Sequence, residues 1–403
     1  MSNLFVLFNV KLRKQQPPQR ENNRIGNPAL NIFIRHKHTD NHLSNHLLQL
    51  CLYLGRRDFV DHVEHVDPID GVLKIDPSAL NGKKVWIQLA CAFHYGREDL
   101  DVIGVSFRKD IWIKRIQMHP FEGTKPPNTP MQDALLKKVG DQGHPFTFDI
   151  PVHLPCSVSL QPAPEDAGKP CGVDYEVKAY IANEEDETDE KAVKKDTCRL
   201  IIRKIQYAPS ELAAGPKTDL NKQFITADKP IHVEASMEKE LYYHGDPIPI
   251  KVKVNNETSK VVKKIKISIH QITDVLLYSA DKYHKCVLNE EFADQINANS
   301  TFEKEYRVTP LLANNKEKRG LSLDGKLKDE DTNLASSTIL LPNMDKQIQG
   351  LVVSYKIRVT LIMGGGLLGS LTLSDITAEL PLILMSPKPA EVTDIDLERL
   401  YSQ

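Results

Sequence analysis

Two stretches of the sequence place charged side chains where they could act on one another. In the strand-like stretch 196–206, Arg199 and Arg203 share one face with isoleucines, whereas Lys204 lies on the other face with apolar neighbours. An arginine that leads an apolar strand commonly keeps its guanidinium in water at the strand end. The alternative is that Arg199 is buried and paired, and a buried charge of this kind requires carboxylates from elsewhere in the chain.

The loop Leu323–Thr332 supplies such carboxylates. Asp324, Asp329, Glu330 and Asp331 crowd a short stretch that opens with an Asp-Gly turn signal. A calcium loop is the obvious alternative, but the alternating ligand positions and the closing glutamate of that motif do not fit. The sequence therefore favours an acidic loop that docks onto a cationic side chain, and it argues against a metal site.

Motifs for catalysis are missing. The sequence contains no Gly-x-Ser-x-Gly elbow, no phosphate-binding loop with its Gly-Lys-Ser/Thr, no His-Glu-x-x-His and no dinucleotide fingerprint. His38, His42 and His46 would align on a helix, but no cysteine or second ligand cluster accompanies them, so a solvated polar tail is favoured over a metal site. We predict a protein that is not an enzyme and that uses no cofactor and no metal.

Composition narrows the class further. The 403 residues suggest two domains, and 52 Lys and Arg against 54 Asp and Glu give a formal net charge of -2, which excludes a globally basic nucleic-acid binder. The apolar stretches are far shorter than the roughly 20 residues of a membrane helix. Six scattered cysteines without a Cys-x-x-Cys pair are typical of buried thiols in a reducing compartment. Since Met1–Leu12 lacks the features of a secretory signal, a soluble cytoplasmic protein is expected.

Short strands must position these residues. Stretches rich in β-branched and aromatic residues, bounded by turn signals, recur from Leu52 onward in two sets, a spacing typical of antiparallel sandwiches. Two prolines and a glycine in Tyr207–Pro216 separate the sets. The prediction is an all-β fold of two sandwich domains of seven-stranded type. Its divisions are an N-terminal segment 1–50 expected to be disordered, a first domain 51–205, a linker 206–216, a second domain 217–389 and a tail 390–403.

One short amphipathic helix is predicted over Thr129–Gly140, in the first domain, with Gly140 as its C-cap. The side chains on its apolar face are Met131, Leu135, Leu136 and Val139. Those expected to face away are Gln132, Asp133, Lys137 and Lys138. The apolar face could pack on the sandwich, which is the more common arrangement, or dock another segment.

Several segments resemble the arrestins, in the order that this family has them. The stretch Leu323–Thr338 resembles the arrestin gate loop. Further segments similar to arrestins are Tyr53–Val63, Tyr95–Gly104, Leu154–Val158, Pro162–Gly172 and Tyr242–Gly245. The resemblance runs from about Leu52 to about Pro389 and covers both predicted domains. Ile272–Ser279 and the loop Gly364–Asp375 are more similar to the visual (retinal) arrestins than to the widely expressed ones.

This resemblance implies the arrestin fold and a non-catalytic role: binding an activated, phosphorylated G-protein-coupled receptor, here a rod or cone opsin, and displacing the G protein sterically. The family latch is a buried ion network whose members map onto Arg199, Asp58, Asp324 and Asp331. A phosphate carries roughly -1.5 to -2 charges and can compete with a carboxylate for arginine. Breaking one partner from a buried pair would then act as a trigger, and Arg199→Glu is expected to raise binding to unphosphorylated receptor.

Other segments receive roles from the same resemblance. The expected phosphate-binding residues are Lys326, Lys328, Lys137, Lys138, Lys194 and Lys195. The expected finger loop, which would enter the receptor and could otherwise be an ordinary hairpin, is Tyr95, Gly96, Arg97, Glu98, Asp99, Leu100, Asp101, Val102, Ile103 and Gly104. The expected membrane-edge loop carries Leu367, Leu368 and Leu371, which could instead pack in the domain. The expected inositol-phosphate surface, with a solvated strand face as its rival, is Lys260, Lys263, Lys264 and Lys266.

The sequence also departs from the family. Visual arrestins begin with a strand carrying Phe-Lys-Lys, where this chain has His46–Leu50. They also have a Phe-containing C-terminal segment that adds a second arginine to the network. The final residues of this sequence contain no counterpart of that segment. These differences predict a weaker latch and less dependence on receptor phosphorylation. The expected location is the cytoplasm of a photoreceptor cell, including the outer segment. Self-association, peripheral membrane contact and opsin subtype stay open, and the alternative functions are a general arrestin-fold trafficking adaptor and an extracellular adhesion protein.

Overall fold

The computed structural model describes residues 33–35, 50–80, 82–96, 107–166, 168–183, 197–207, 214–224, 229–325, 332–342, 344–364 and 375–386. Within these residues the fold is built almost entirely from strands, with one α-helix and three short 3-10 helices at Pro77–Ala79, Leu312–Asn315 and Lys346–Gln349. In this part of the chain, no helix has the length and apolar character needed to cross a bilayer.

The first half of the chain forms two sheets. Its strands are β1 Phe33–Arg35, β2 Leu50–Leu54, β3 Asp58–Asp61, β4 Ile69–Ile75, β5 Lys84–Tyr95, β6 Phe107–His119, β7 Gly143–Phe148, β8 Val158–Leu160, β9 Cys171–Ala182 and β10 Thr197–Gln206. One sheet has the order β1-β2-β4-β7, and the other is built around β9, with β5 and β6 on one side and β8, β10 and β3 on the other. β2 packs against β9 and β10, and the apolar side chains between the sheets are fully buried. All pairs are antiparallel except β3 with β10.

Helix α1, Pro130–Val139, lies on the outer face of the first sheet. Thr129 is its N-cap and forms a capping box with Gln132, and Gly140 at φ 80° ends it, as predicted from the sequence. The predicted apolar face packs on Cys51, Tyr53 and Val72. The prediction that Gln132 faces away is wrong: the side chain is buried because its amide donates to the Phe146 carbonyl oxygen, at 2.8 Å, as well as closing the capping box.

The second half of the chain forms two further sheets. Its strands are β11 Lys217–Lys222, β12 Ile231–Ser236, β13 Leu241–Tyr243, β14 Ile248–Asn256, β15 Val262–Val275, β16 Lys282–Phe292, β17 Ser300–Val308, β18 Ser322–Asp324, β19 Leu351–Met363 and β20 Ile376–Met385. The sheet β11-β12-β14-β17 packs on the sheet β13-β20-β19-β15-β16, in which β13 and β20 are parallel. Over the described residues, the result is the predicted all-β fold of two sandwiches with one α-helix.

Strand β18 connects the two halves. It belongs to the second half of the sequence, yet Asp324 pairs with Val158 of β8 in the sheet of the first half. The backbone and side chains on the other side of β18 contact the second half, where the Gln271 amide donates to the Ser322 carbonyl oxygen at 2.8 Å. The acidic loop that follows β18 therefore starts between the two sandwiches.

Candidate functional site

The parallel pairing of β10 with β3 creates the candidate site. The register places Arg203 directly opposite Asp58 and Gln206 opposite Asp61. Because side chains alternate along a strand, Arg203 and Asp58 project from one face of the pair, whereas Lys204 and Asp61 project from the other. Two ion pairs, each of a cation with a carboxylate, thus lie on opposite faces of this short two-strand pairing.

Arg203 and Asp58 form a two-pronged ion pair. Arg203 Nε lies 2.6 Å from Asp58 Oδ1, and Nη2 lies 2.7 Å from Oδ2. Arg203 Nη1 donates to the carbonyl oxygen of Gly325 at 3.1 Å, which brings the start of the acidic loop into the same cluster. The guanidinium side chain is 11% exposed and the Asp58 carboxylate 36% exposed, so the pair can be reached from solvent through the aspartate. Such bidentate charge-assisted bonds are among the strongest polar contacts in proteins.

The assignment of the network arginine to Arg199 is corrected by this geometry. The Arg199 side chain is 69% exposed, and its Nη1 lies 3.6 Å from Glu176 Oε2, with neither Asp58 nor Asp324 as a partner. The physical reason lies in the sheet: β3 pairs with β10 only from Arg203 onward, so the edge beside Arg199 is not covered by it. Arg203 lies on the same strand face as Arg199, but at the part of the edge that pairs with β3. The alternation of side chains along the strand therefore cannot show which of the two arginines belongs to the network.

Asp324 is buried in a different cluster from the one predicted. Its Oδ1 accepts the Ser336 backbone N–H at 2.7 Å, and its Oδ2 accepts the Ser386 hydroxyl at 2.9 Å. The Oδ2 atom also lies 3.5 Å from His244 Nε2. Asp324 is thus held by hydroxyl, amide and imidazole groups of the second half, and the backbone of the next residue, Gly325, bonds Arg203.

Gly325 approaches the first sandwich more closely than any other residue type would allow. Its N–H donates to the Ser157 carbonyl oxygen at 3.1 Å, and a Cβ at this position would lie 2.6 Å from Ser157 Cβ. Ser157 in turn exchanges bonds with β10: its N–H donates to the Lys204 carbonyl oxygen at 2.9 Å, and its hydroxyl accepts the Lys204 N–H at 3.1 Å. The carbonyl that Arg203 binds is therefore fixed by a short chain of backbone bonds.

The Lys204–Asp61 pair is not among the site residues predicted from the sequence. Lys204 Nζ lies 2.5 Å from Asp61 Oδ2 and 2.6 Å from the Leu154 carbonyl oxygen, with the lysine side chain fully enclosed. The available signal was the position of a lysine on the same strand face as Leu200 and Ile202, both of which are buried. Burial alone would lower the pKa of Lys204, but Cys156 and Asp61 raise it more, and the net pKa is raised.

Many predicted site residues lie outside the described residues. They are Asp331, Lys326, Lys328, Lys194, Lys195, Arg97, Glu98, Asp99, Leu100, Asp101, Val102, Ile103, Gly104, Leu367, Leu368 and Leu371. Most of segment 1–50, including the three spaced histidines, and tail 390–403 also lie outside. Tyr95 and Gly96, at the start of the predicted finger loop, are described, and Tyr95 lies in an aromatic group with Phe93, Phe107 and Tyr278.

The described lysines of the predicted surfaces lie at the protein surface. Lys137 and Lys138 are exposed in the last turn of α1. Lys263 and Lys264 are exposed near the start of β15, and Lys264 Nζ lies 3.2 Å from Glu291 Oε2. The other two members of that set, Lys260 and Lys266, are half-buried. The assignment of this set to an inositol-phosphate surface stays a prediction.

The six cysteines carry free thiols, as expected from their spacing. Cys51, Cys91, Cys171 and Cys198 are buried, whereas Cys156 and Cys286 are partly exposed. Burial raises the pKa of Cys91 and of Cys171 to about 12, so both remain protonated and unreactive at neutral pH.

Comparison with known proteins gives matches over nearly all of the two sandwiches. Residues 50–208 match the family model "Arrestin (or S-antigen), N-terminal domain", and residues 227–389 match "Arrestin (or S-antigen), C-terminal domain". The chain is 56% identical over 361 residues to Arrestin-C of Aquarana catesbeiana, covering 88% of this chain and 92% of the relative. It is 54% identical over 362 residues to Arrestin-C of Sus scrofa, with 88% and 92% covered, and 53% identical over 345 residues to Arrestin-C of Homo sapiens, with 85% and 88% covered.

Proposed function

The chain belongs to the arrestin family, and we propose that it binds activated, phosphorylated G-protein-coupled receptors and ends their signalling by occluding the G protein. Its similarity to visual arrestins makes a photoactivated rod or cone opsin the proposed receptor. Arrestins are non-enzymatic signalling adaptors, and this chain is one of them. We place its action in the cytoplasm of a photoreceptor cell, at the outer segment when it is receptor-bound.

The observation that carries the proposal is the Arg203–Asp58–Gly325 contact. It joins strands of the first sandwich to the loop that leaves the second, and it is polar, compact and partly open to solvent at Asp58. A site of this kind is stable while the guanidinium has its carboxylate and changes when a competing anion takes that place. We propose Arg203, in place of Arg199, as the phosphate sensor.

Receptor phosphates supply the competing anion. Each carries roughly -1.5 to -2 charges and three acceptor oxygens, against a single charge on Asp58. A phosphate that binds Arg203 releases both Asp58 and the Gly325 carbonyl. The acidic loop then loses its bond to Arg203, while the pairing of β18 with β8 still holds the start of the loop on the first sandwich. Asp331 is a proposed member of the same network, whereas Asp324 is proposed to influence it from the neighbouring cluster. Asp324 acts through the loop position that its bonds to Ser336 and Ser386 define.

Further cationic residues are proposed to guide the phosphates to Arg203. Lys137 and Lys138 are exposed at the end of α1. The remaining members of the proposed set are Lys326, Lys328, Lys194 and Lys195. The finger loop 95–104 is proposed to enter the receptor cavity. Leu367, Leu368 and Leu371 are proposed to touch the bilayer, and Lys260, Lys263, Lys264 and Lys266 to bind inositol phosphates.

Co-sedimentation with receptor membranes tests the proposal. The protein is mixed with opsin in four states, dark or illuminated and phosphorylated or not, and the bound fraction is measured. We expect the largest bound fraction with illuminated, phosphorylated opsin, and competition with the G protein for the same membranes. Equal binding to dark and illuminated opsin would contradict receptor-state recognition, and binding without loss of G-protein activation would favour a trafficking adaptor instead.

A further inference from the structure

A second ion pair, Lys204 with Asp61, occupies the face of β10 and β3 opposite to the Arg203 site. Its side chains are 0% and 5% exposed, so solvent and receptor phosphates cannot reach it directly. We propose that Lys204 and Asp61 are positioning residues that hold Gly325 and Asp58 in place for Arg203 and thereby set how strongly binding depends on receptor phosphates. This inference rests on the proposed function, because it assigns the buried pair a part in the phosphate response.

The first route of this effect runs through the segment 154–157. Lys204 Nζ bonds the Leu154 carbonyl oxygen at 2.6 Å, and the Lys204 backbone bonds Ser157 at 2.9 and 3.1 Å. Ser157 then accepts the Gly325 N–H at 3.1 Å. The carbonyl oxygen of that glycine is the acceptor for Arg203 Nη1. The side chain of Lys204 therefore fixes the segment to which Gly325 is bonded.

The second route runs through β3. This strand is four residues long, and within the described sheet β10 is its only strand neighbour. Asp61 ends it and is fixed twice, by Lys204 through Oδ2 and by the Val63 N–H at 2.8 Å through Oδ1. Val63 has φ 74°, an unfavourable conformation for a β-branched residue, which the Asp61 bond helps to hold. Asp58 begins the same strand, so its position depends on this anchor.

Stability alone is a weak explanation for the pair. Buried ion pairs carry a large desolvation cost and can often be replaced by apolar residues of similar size with little loss of stability. What such a replacement would lose here is the directional contact with Leu154 and with Val63. A role in placing the neighbouring network accounts for a lysine and an aspartate at these positions, where an apolar pair would satisfy packing.

The test uses the full chain with Lys204→Met and Asp61→Asn combined, which removes both charges and leaves no unpaired buried ion. The readout is the discrimination ratio, defined as the bound fraction with illuminated phosphorylated opsin divided by that with illuminated unphosphorylated opsin. We expect this ratio to fall about fivefold or more, through a gain with unphosphorylated opsin, a change of about 1 kcal/mol in relative binding. The matched control is Val233→Ala, a core change in β12 far along the chain from this site, which lowers stability and leaves the ratio unchanged.

Amide exchange at Gly325 provides a readout that needs no receptor. The double variant is expected to exchange this amide proton about tenfold faster than the wild type, whereas Val233→Ala leaves the relative protection of Gly325 unchanged. If the double variant does not fold, Lys204→Gln combined with Asp61→Asn takes its place, since it also leaves no buried charge and keeps an acceptor for the Val63 N–H. An unchanged ratio together with unchanged exchange at Gly325 would overturn the inference. A wild type that shows no preference for phosphorylated opsin would instead overturn the proposed function.

Discussion

Arg199 and Arg203 lie four residues apart on the same face of β10, yet they differ in every property that matters to a trigger. Arg199 is 69% exposed beside Glu176, whereas Arg203 is enclosed and bound twice to Asp58. The difference comes from β3, which covers the strand edge only at Arg203. An arginine on the correct strand face is therefore not enough to define the site, because the neighbouring strand must also supply its carboxylate.

This contrast predicts that matched substitutions of the two arginines lower the free energy of unfolding by different amounts. Arg203→Gln removes the guanidinium from a pair whose aspartate is partly hydrated, and we expect it to lower the free energy of unfolding by about 2 kcal/mol, less than for a fully buried pair. Arg199→Gln breaks a long contact, 3.6 Å, between an arginine that is 69% exposed and the largely buried Glu176, and should cost less, about 0.5 kcal/mol. Urea unfolding of both variants and the wild type measures the two values. Equal costs would mean that the Arg203–Asp58 pair adds no more to the free energy of unfolding than the Arg199–Glu176 contact does.

Two stacked histidines on the second sandwich predict an acid dependence. Their rings, His270 and His284, lie 4.9 Å apart. Burial, then Arg358, lowers the pKa of His270 to about 4, and the pKa of His284 is lowered for similar reasons. Since the folded pKa lies below the unfolded value of about 6.5, the unfolded state binds protons more readily. The contribution of these two histidines to the free energy of unfolding is therefore fully present above about pH 6.5 and is lost as the pH falls towards 4.

His270→Gln should flatten this dependence. Urea unfolding at about pH 7.5, 5.5 and 4.5 is expected to show a shallower loss of stability for the variant than for the wild type. The matched control is His232→Gln, which changes a more exposed histidine beside Asp219. A slope identical for the wild type and His270→Gln would show that this histidine is not responsible.

At the scale of elements, α1 offers the cleanest prediction because its start is fixed by a defined cap. Thr129 accepts the Gln132 N–H at 3.2 Å and completes a capping box. Thr129→Ala should lower the free energy of unfolding by about 1 kcal/mol, whereas Thr129→Ser retains the hydroxyl and should cost little. Urea unfolding distinguishes the two. A loss as large for serine as for alanine would assign the effect to the threonine methyl group.

The sequence predicted the elements whose signals are local and missed those defined by distant partners. The helix, its C-cap and the two sets of strands follow from periodicity and turn residues. The three-residue β18 could not be predicted, because its pairing with Val158 joins positions far apart in the chain. The mostly exposed, polar β11 also lacks an apolar alternation. Asp58 was identified from the family resemblance, whereas the choice of Arg203 over Arg199 and the Lys204–Asp61 pair required the register of β3 with β10.

At the scale of the whole molecule, several contacts join the two sandwiches away from Arg203. Lys285 of β16 lies 3.1 Å from Asp166 of the first half, and the Gln349 amide donates to the His153 carbonyl oxygen at 3.2 Å. Tyr278 stacks on Phe93 and Phe107. Release at the Arg203 site alone would therefore not separate the halves, and these contacts define how far they can move.

Removing one of these contacts should loosen the segment it holds. In Lys285→Met, Asp166 loses its cation, and we expect the Ala163 amide, which bonds Asp166 Oδ2 at 2.9 Å, to exchange several-fold faster. Lys282→Met is the control, since that lysine pairs with Asp274 within the second sandwich. Hydrogen exchange of the two variants makes the comparison. Unchanged exchange at Ala163 would mean that backbone contacts hold this segment without the ion pair.

Exchanging the charges of Arg203 and Asp58 shows whether this ion pair keeps the protein dependent on receptor phosphates. Co-sedimentation with illuminated opsin, phosphorylated or not, compares the wild type, Arg203→Glu and the double variant Arg203→Glu with Asp58→Arg. Arg203→Glu should bind unphosphorylated opsin about tenfold better than the wild type, and the double variant, which restores an ion pair, should return most of the preference for phosphorylated opsin. If the double variant binds unphosphorylated opsin as well as Arg203→Glu does, the pair is not the trigger.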